Sequence, residues 1–283
     1  MKIKITADST CDLPKALLDE FNITIMPLTV MKGGEAFLDG VDITPADIFA
    51  HVAAGGDLCT TAAVNMADYY DFFRKNLEGY DALVHVNISA EFSSCYQNAC
   101  LAAEEFGNVY VIDSRNLSTG HGHVVLEACK CALAGMEPKA IVEEMKDLAA
   151  RVDASFLVDR LDFLAKGGRC SSVAALGANL LHLRPCIEVK DGKMHVGKKY
   201  RGSFPKCLSA YVKERLEGRD DLQSDRIFLT YTYSTAEESV SAARQAILDY
   251  GKFDTITEGT AGSTISCHCG PSTLGVLYIH NKQ

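Results

Sequence analysis

The sequence has no long hydrophobic run and no apolar leader near its start. No segment approaches the ~20 consecutive apolar residues that a membrane-spanning helix needs. The opening stretch MKIKITADST reads as a strand and a turn, with no apolar core or cleavage-like site. These absences predict a protein with no integral membrane segment, located in the cytoplasm.

Several chemical motifs are also missing. The pairs Cys129/Cys131 and Cys267/Cys269 lack the Cys-x-x-Cys spacing of structural zinc sites, and the pair His121/His123 has no third ligand nearby in sequence. We therefore expect no metal. The eleven cysteines are scattered through predicted helices and strands, which favours reduced, buried thiols over disulfides. No phosphate-binding Gly-x-x-x-x-Gly-Lys loop is present, so a nucleotide site and phosphoryl transfer by this chain are not expected.

Positive charge is in deficit. The chain has 28 Lys and Arg against 37 Asp and Glu, a formal net charge of −9. This balance disfavours nucleic acid and anionic membrane surfaces as general partners. It leaves room for a small anion held by local dipoles. The length of 283 residues suits two domains.

Strand and helix patterns alternate through the first half. Strands are predicted at 2–7, 23–29, 82–88 and 109–113, and helices at 14–21, 45–54, 66–76, 94–105 and 120–134. This alternation is typical of a parallel sheet covered by helices. Ligands of such sheets bind beyond the carboxyl ends of the strands.

The second half has a different pattern. After a helix at 138–151, the chain reads as a strand, a short helix, a Gly-Gly-Arg turn, a helix at 173–181 and a β-hairpin turning at Asp191-Gly192. Further strands are predicted at 226–231, 254–258 and 275–280, with helices at 204–215 and 235–248. We therefore predict an α/β protein of two domains, 1–155 with a mostly parallel sheet and 156–283 with a mixed sheet, and a ligand between them.

Hydroxyl-rich segments follow the predicted strands. They are Asp8-Ser9-Thr10, Thr60-Thr61, the segment from Ser89 to Ser94, and Asp113-Ser114 with Ser118-Thr119. Any one of these can be turn or capping chemistry, and Ser93 alone is most simply a helix N-cap. Their convergence on one edge of a sheet indicates an anion site, because free helix-start amides and hydroxyls both bind anions.

Six motifs in order resemble the DegV family, bacterial fatty-acid-binding proteins that include the FakB subunits of fatty acid kinase. They are ADSTCDLP at 7–14, Thr60-Thr61, ISAEFSSCYQNA at 88–99, VIDSRNLSTGHG at 111–122, LAKGGRCSS at 164–172 and HCGPSTLG at 268–275. The resemblance runs nearly end to end. It implies a carrier without its own chemistry or cofactor, which binds a long-chain fatty acid and presents it to a separate kinase that makes acyl phosphate.

The resemblance also implies site residues. Thr61 and Ser93 correspond to the carboxylate-binding pair, with Thr60, Ser94 and His268 around them, and Arg169 to a basic residue near the head group and the kinase. Since each buried methylene contributes about 0.8 kcal/mol, an apolar tunnel can supply most of the affinity. Candidates for its lining, any one of which is more simply explained as ordinary core, are Ile25, Met26, Leu28, Phe92, Leu157, Leu161, Leu176, Leu180 and Leu183.

The sequence departs from the family pattern at three places. Ala62-Ala63 replace a common Gln-Pro, Ser94-Cys95 replace Gly-Thr, and Ser272 stands where Gly-Pro-Gly ends in glycine. Glycine at that last position suits a positive φ, which serine adopts at a cost. These departures bear on ligand identity and kinase pairing more than on the fold.

An enzyme is the alternative function. Ser93, His268 and Asp113 could form the nucleophile, base and orienting acid of an acyl hydrolase. Against this, the chain has no Gly-x-Ser-x-Gly elbow, and Ser93 lies between Phe92 and Ser94.

Overall fold

The computed structural model describes residues 1–174 and 183–282. The strands within these ranges are β1 Ile3–Asp8, β2 Thr24–Met26, β3 Thr29–Lys32, β4 Glu35–Leu38, β5 Thr60–Ala62, β6 Ala82–Asn87, β7 Val109–Asp113, β8 Val152–Val158, β9 Leu183–Lys190, β10 Lys193–Arg201, β11 Ile227–Tyr231, β12 Ile256–Thr260 and β13 Thr273–Ile279. The helices are α1 Lys15–Glu20, α2 Pro45–Ala53, α3 Met66–Leu77, α4 Cys95–Ala103, α5 Ser118–Leu133, α6 Pro138–Arg151, α7 Asp162–Gly167, α8 Ser171–Ala174, α9 Phe204–Leu216, α10 Glu237–Tyr250 and α11 Ser263–Cys269.

The first half forms a parallel sheet of order β2-β1-β6-β7. Every residue of β6 is buried, because helices cover both faces of this sheet. Helices α3 and α4 pack on one face, while α5 and α6 cover the other. The predicted parallel α/β architecture is confirmed.

The second half forms a mixed sheet of order β10-β9-β8-β13-β11-β12. Strands β9 and β10 are the predicted antiparallel hairpin, and both turn residues have positive φ, 52° at Asp191 and 79° at Gly192. Such a pair matches the twist of a tight hairpin. Helices α9 and α10 cover one face of this sheet, and α5 packs against the other.

A small antiparallel sheet of order β4-β3-β5 was not predicted. The single strand expected at 23–29 instead divides at Pro27, so that β2 joins the parallel sheet and β3 the small one. A proline has no N–H for a sheet ladder, which explains the break. The small sheet matters for the site because β5 carries Thr60 and Thr61.

Helix α5 lies between the two large sheets and its first half is buried. The weak metal pair His121/His123 lies here and serves the packing. The Nε2 of His121 bonds the carbonyl of Val86 at 3.1 Å, and that of His123 bonds the carbonyl of Leu277 at 3.0 Å. Each imidazole therefore ties α5 to a different sheet.

The predicted domain boundary at residue 155 falls inside β8, which lies wholly in the six-stranded sheet. The change of sheet therefore comes where α6 ends and β8 begins. The predicted helix at 173–181 lies mostly outside the described residues. Among the residues described, no helix has the length and apolarity to cross a membrane. The cytoplasmic location stays a prediction.

Candidate functional site

A cavity of about 170 Å³ opens between the two halves of the chain. Its polar side chains are Thr61, Ser93, Ser94, Arg169, Thr264 and His268. Its apolar wall consists of Leu28, Ala62, Ala63, Ile88, Phe92, Leu117, Met194, Ile265 and Cys269. The cavity thus combines a hydroxyl-bearing side with an apolar wall drawn from both halves of the chain.

Thr61 and His268 meet across this cavity. The hydroxyl of Thr61 on β5 lies 2.8 Å from Nε2 of His268 on α11, although the two residues are 207 positions apart. The start of α11 is fixed by Asp39, whose carboxylate accepts the amides of Ser263 at 2.9 Å and Thr264 at 3.2 Å. A carboxylate at a helix start satisfies amides that have no partner within the helix.

The imidazole of His268 is neutral at physiological pH. Burial, with a smaller contribution from the nearby Arg169 cation, lowers the pKa of His268 to about 4. Its Nδ1 is buried and has no hydrogen-bond partner among the described residues. Gly167 makes room for this ring, since a Cβ at that position would lie 2.6 Å from Nδ1.

Ser93 and Ser94 lie at the start of α4. The Oγ of Ser93 accepts the amide of Cys95 at 3.2 Å, so its hydroxyl hydrogen remains available to a ligand. Ser94 is the N-cap residue, but its side chain makes no capping bond. Ser93 therefore makes the capping bond that the sequence predicts, although it lies one residue before the N-cap position. Both serines line the cavity.

Arg169 lies at the mouth of the cavity on the turn after α7. Gly168 makes this turn with a φ of 69°, a conformation that favours glycine. The guanidinium donates to the carbonyl of Gly167 at 2.7 Å and to that of Phe92 at 3.4 Å. The side chain is exposed, so it can meet both a ligand head group and solvent.

The structure brings Thr61, Ser93, Ser94, Arg169 and His268 together at one cavity, but not Thr60. Thr60, the preceding residue of β5, is not among the residues that line the cavity. Other hydroxyl-rich segments serve the fold. Ser89 donates to the carbonyl of Gly192 at 2.8 Å in the hairpin turn.

Of the predicted tunnel residues, Leu28 and Phe92 line the cavity. Leu157 packs under α9 and α10 on the far face of its sheet, and Ile25 lines a separate surface groove. Met26 and Leu161 lie in the surrounding core, and Leu183 is not part of the wall. Leu176 and Leu180 lie outside the described residues. The hydrophobic pattern of a sequence predicts that a residue is buried, but it does not predict which face of a sheet the side chain occupies.

Several wall residues were missed. Ile88, Leu117, Met194, Ile265 and Cys269 line the cavity, and Thr264 adds a hydroxyl. A second cavity of about 30 Å³, walled mainly by apolar side chains and threonines, shares Leu117, Ile265 and Cys269 with the first. The sequence signal for these residues is a four-residue spacing, which separates Thr264 from His268 and Ile265 from Cys269. In a helix this spacing places all four side chains on one face.

Two departures from the family pattern have visible consequences. Ala62 and Ala63 line the cavity beside Thr61, where their single methyl groups leave space. Ser272 has a φ of 53°, as the glycine argument predicted.

The hydrolase arrangement finds no support in the geometry. Within the described ranges, no hydrogen bond joins Ser93 to His268, whose Nε2 is bonded to Thr61 instead. Asp113 accepts the amides of Ala90 at 3.2 Å and Arg115 at 2.8 Å, and does not orient an imidazole.

Comparisons with known proteins agree on one family. The family model described as "Uncharacterised protein, DegV family" matches residues 2–281. A DegV domain-containing protein of Clostridium acetobutylicum is 33% identical over 282 residues, covering 98% of each chain. The structure of a DegV family protein from Thermus thermophilus, described as binding fatty acid, is 32% identical with a TM-score of 0.88, covering 99% of this chain and 100% of that one. A stearic-acid-binding protein from Eubacterium ventriosum is 28% identical with a TM-score of 0.84, covering 98% of each. The chain belongs to the DegV family.

Proposed function

We propose that this protein binds one long-chain fatty acid in the cavity between its two halves. The observation that carries the proposal is the pairing of a hydroxyl-lined end, formed by Thr61, Ser93 and Ser94, with an apolar wall inside the same cavity. The hydroxyl-lined end suits a carboxylate, and the apolar wall suits an acyl chain. The two similar structures from Thermus thermophilus and Eubacterium ventriosum, which are described as fatty-acid-binding proteins, support it.

His268 sets the direction of the hydrogen bonds to the carboxylate. A proton on Nε2 of the neutral ring donates to the Thr61 oxygen, which leaves the Thr61 hydrogen to donate to the ligand. The opposite tautomer would bury an N–H at Nδ1 without a partner. Ser93 accepts the Cys95 amide and donates in the same way, so two hydroxyls converge on one anion.

The apolar wall supplies most of the binding energy. Each methylene removed from water contributes about 0.8 kcal/mol, so a long chain needs only orientation from its head group. We place the tail past Leu117, Ile265 and Cys269, the three residues shared with the second cavity. Hydroxyls hold the carboxylate without a buried cation, which keeps it accessible to a second protein.

In this proposal the protein acts as a carrier in the cytoplasm, without a cofactor and without catalysing a reaction itself. A separate kinase phosphorylates the carboxylate to an acyl phosphate while the tail stays bound. Arg169 is the residue we expect to meet the kinase or the new phosphate, because it is exposed and lies at the mouth of the cavity. Its cation also complements the charge that phosphorylation adds.

Native mass spectrometry of protein purified from a bacterial host tests the binding step. We expect a bound, intact fatty acid with the wild type, and its loss with the double variant Thr61→Ala plus Ser93→Ala. Thr60→Ala is the matched control, since Thr60 is on the same strand but outside the cavity. An empty wild-type protein that also binds no added fatty acid would refute the proposal.

The carrier and hydrolase functions differ in their products. Loaded protein with ATP should yield acyl phosphate, trapped by hydroxylamine, only after addition of a bacterial extract that contains the kinase. Turnover of an ester substrate by the pure protein, abolished by Ser93→Ala, would instead establish the hydrolase.

A further inference from the structure

The hydroxyl of Thr264 is the least explained polar group of the cavity. The side chain is only 3% exposed, lines the cavity and has no hydrogen-bond partner among the described residues. Buried hydroxyls are normally bonded, because leaving one unpaired has a cost. A polar atom supplied by the bound ligand would satisfy it.

Its neighbours on α11 show that the helix does not leave hydroxyls unpaired in general. Ser263 donates to the carbonyl of Ile43 at 3.1 Å, and Ser266 donates to that of Ala261 at 3.3 Å. A threonine inside a helix usually bonds the carbonyl four residues earlier. Thr264 is the second residue of α11, so that carbonyl belongs to Thr260 at the end of β12 and is not a helical acceptor.

The position of Thr264 relative to the head group follows from helix geometry. Thr264 and His268 are four residues apart on one face of α11, a rise of about 6 Å. His268 bonds Thr61 at the proposed carboxylate end. The unpaired hydroxyl therefore faces the part of an acyl chain within a few carbons of its carboxylate.

The surroundings favour a neutral oxygen at this point. The carboxylate of Asp39 binds the amide of Thr264 itself, so the local charge is already negative and opposes a second anion. Ala62 and Ala63 line the same cavity with one-carbon side chains, which leaves width for a substituent on the chain. A hydroxyl or keto group fits both conditions.

We propose that Thr264 is a specificity-determining residue that selects acyl chains bearing a hydroxyl or keto oxygen near the carboxylate. The inference rests on the proposed fatty acid binding and narrows its ligand class. With such a chain, the Thr264 hydroxyl bonds the substituent. With a plain chain, it faces methylene groups and stays unpaired.

Calorimetric titration with three probes tests the inference: palmitate, β-hydroxypalmitate and ω-hydroxypalmitate. We expect the wild type to bind β-hydroxypalmitate about two- to twelvefold more tightly than palmitate, the range that one net hydrogen bond supplies. The ω-hydroxy acid controls for a hydroxyl at the wrong end of the chain and should show no such gain.

Thr264→Val, which keeps the shape and removes the hydroxyl, should abolish this preference, so that the variant binds the two acids with about equal affinity. Thr264→Ser should retain the preference, and thermal unfolding of both variants reports whether they fold. If the ratio of the two affinities is unchanged in Thr264→Val, including the case in which both affinities fall equally, the inference is overturned while fatty acid binding stands. If the wild type binds no acid at all, the proposed function fails and this inference fails with it.

Discussion

The contact between Gly167 and His268 allows a sharp test of the site. Replacing Gly167 with alanine adds a methyl carbon that would lie 2.6 Å from Nδ1 of His268 and 3.4 Å from its Cγ. The backbone at Gly167 does not have a positive φ, so alanine is compatible with the main chain there. The imidazole must therefore move, and the bond at risk is its 2.8 Å contact with Thr61.

The magnitude follows from the loss of one orienting hydrogen bond. A typical net value is about 0.5–1.5 kcal/mol, which corresponds to roughly a two- to twelvefold weaker affinity for a fatty acid. We expect this loss in a fluorescent fatty acid displacement assay.

Gly168→Ala is the matched control. A Cβ there would meet no atom within 4 Å, but the φ of 69° strains any residue with a side chain. This variant should therefore lose about 1 kcal/mol of stability through the backbone and keep its ligand affinity better than Gly167→Ala does. Wild-type affinity in Gly167→Ala would refute the role that we assign to the His268 ring.

Three further predictions concern stability. Ser272→Gly should stabilise the fold by up to about 1 kcal/mol in urea unfolding, because it relieves the positive φ of 53°; a less stable variant would show that serine is not strained there. Asp39→Asn should cost about 2 kcal/mol, since Asp39 is 4% exposed and accepts two amides at the start of α11; unchanged unfolding would contradict that role. Burial lowers the pKa of His85 and of His123 to about 3. Below pH 6.5 these two histidines therefore become protonated in the unfolded chain but stay neutral in the folded one. Stability should therefore fall as pH drops from 6.5 towards 3, by at most about 1.4 kcal/mol per histidine and pH unit, and equal urea midpoints at pH 7 and pH 5 would disprove this.

The sequence predicted the strands and helices that bury one regular face. The strand at 82–88, for example, is a mostly apolar run of the kind that a doubly covered parallel sheet requires, and it became β6. The hairpin turn was equally readable, because Asp191-Gly192 combines two residues that tolerate positive φ. In both cases the signal is local, since period and turn chemistry depend on neighbours in sequence.

The small sheet and α11 were missed for the same physical reason. Strand β5 has three residues and α11 has seven, too few to show a clear period. Both are stabilised by partners far away in sequence, β5 by β3 and α11 by the carboxylates of Asp12 and Asp39. Their local sequences alone contain no sign of these partners.

For the site, too, local sequence predicted some features and tertiary packing decided the others. Sequence alone determined that hydroxyls cluster after the strands, and the resemblance of its motifs to the DegV family pointed to Thr61, Ser93, Arg169 and His268 as a group. Only the tertiary structure decided that Thr61 faces the cavity and Thr60 does not, that Leu157 lies behind its sheet, and that the hydroxyl of Thr264 is unpaired among the described residues. Residue type determines which bonds a side chain can make, whereas the packing of distant segments determines which of those bonds are already made.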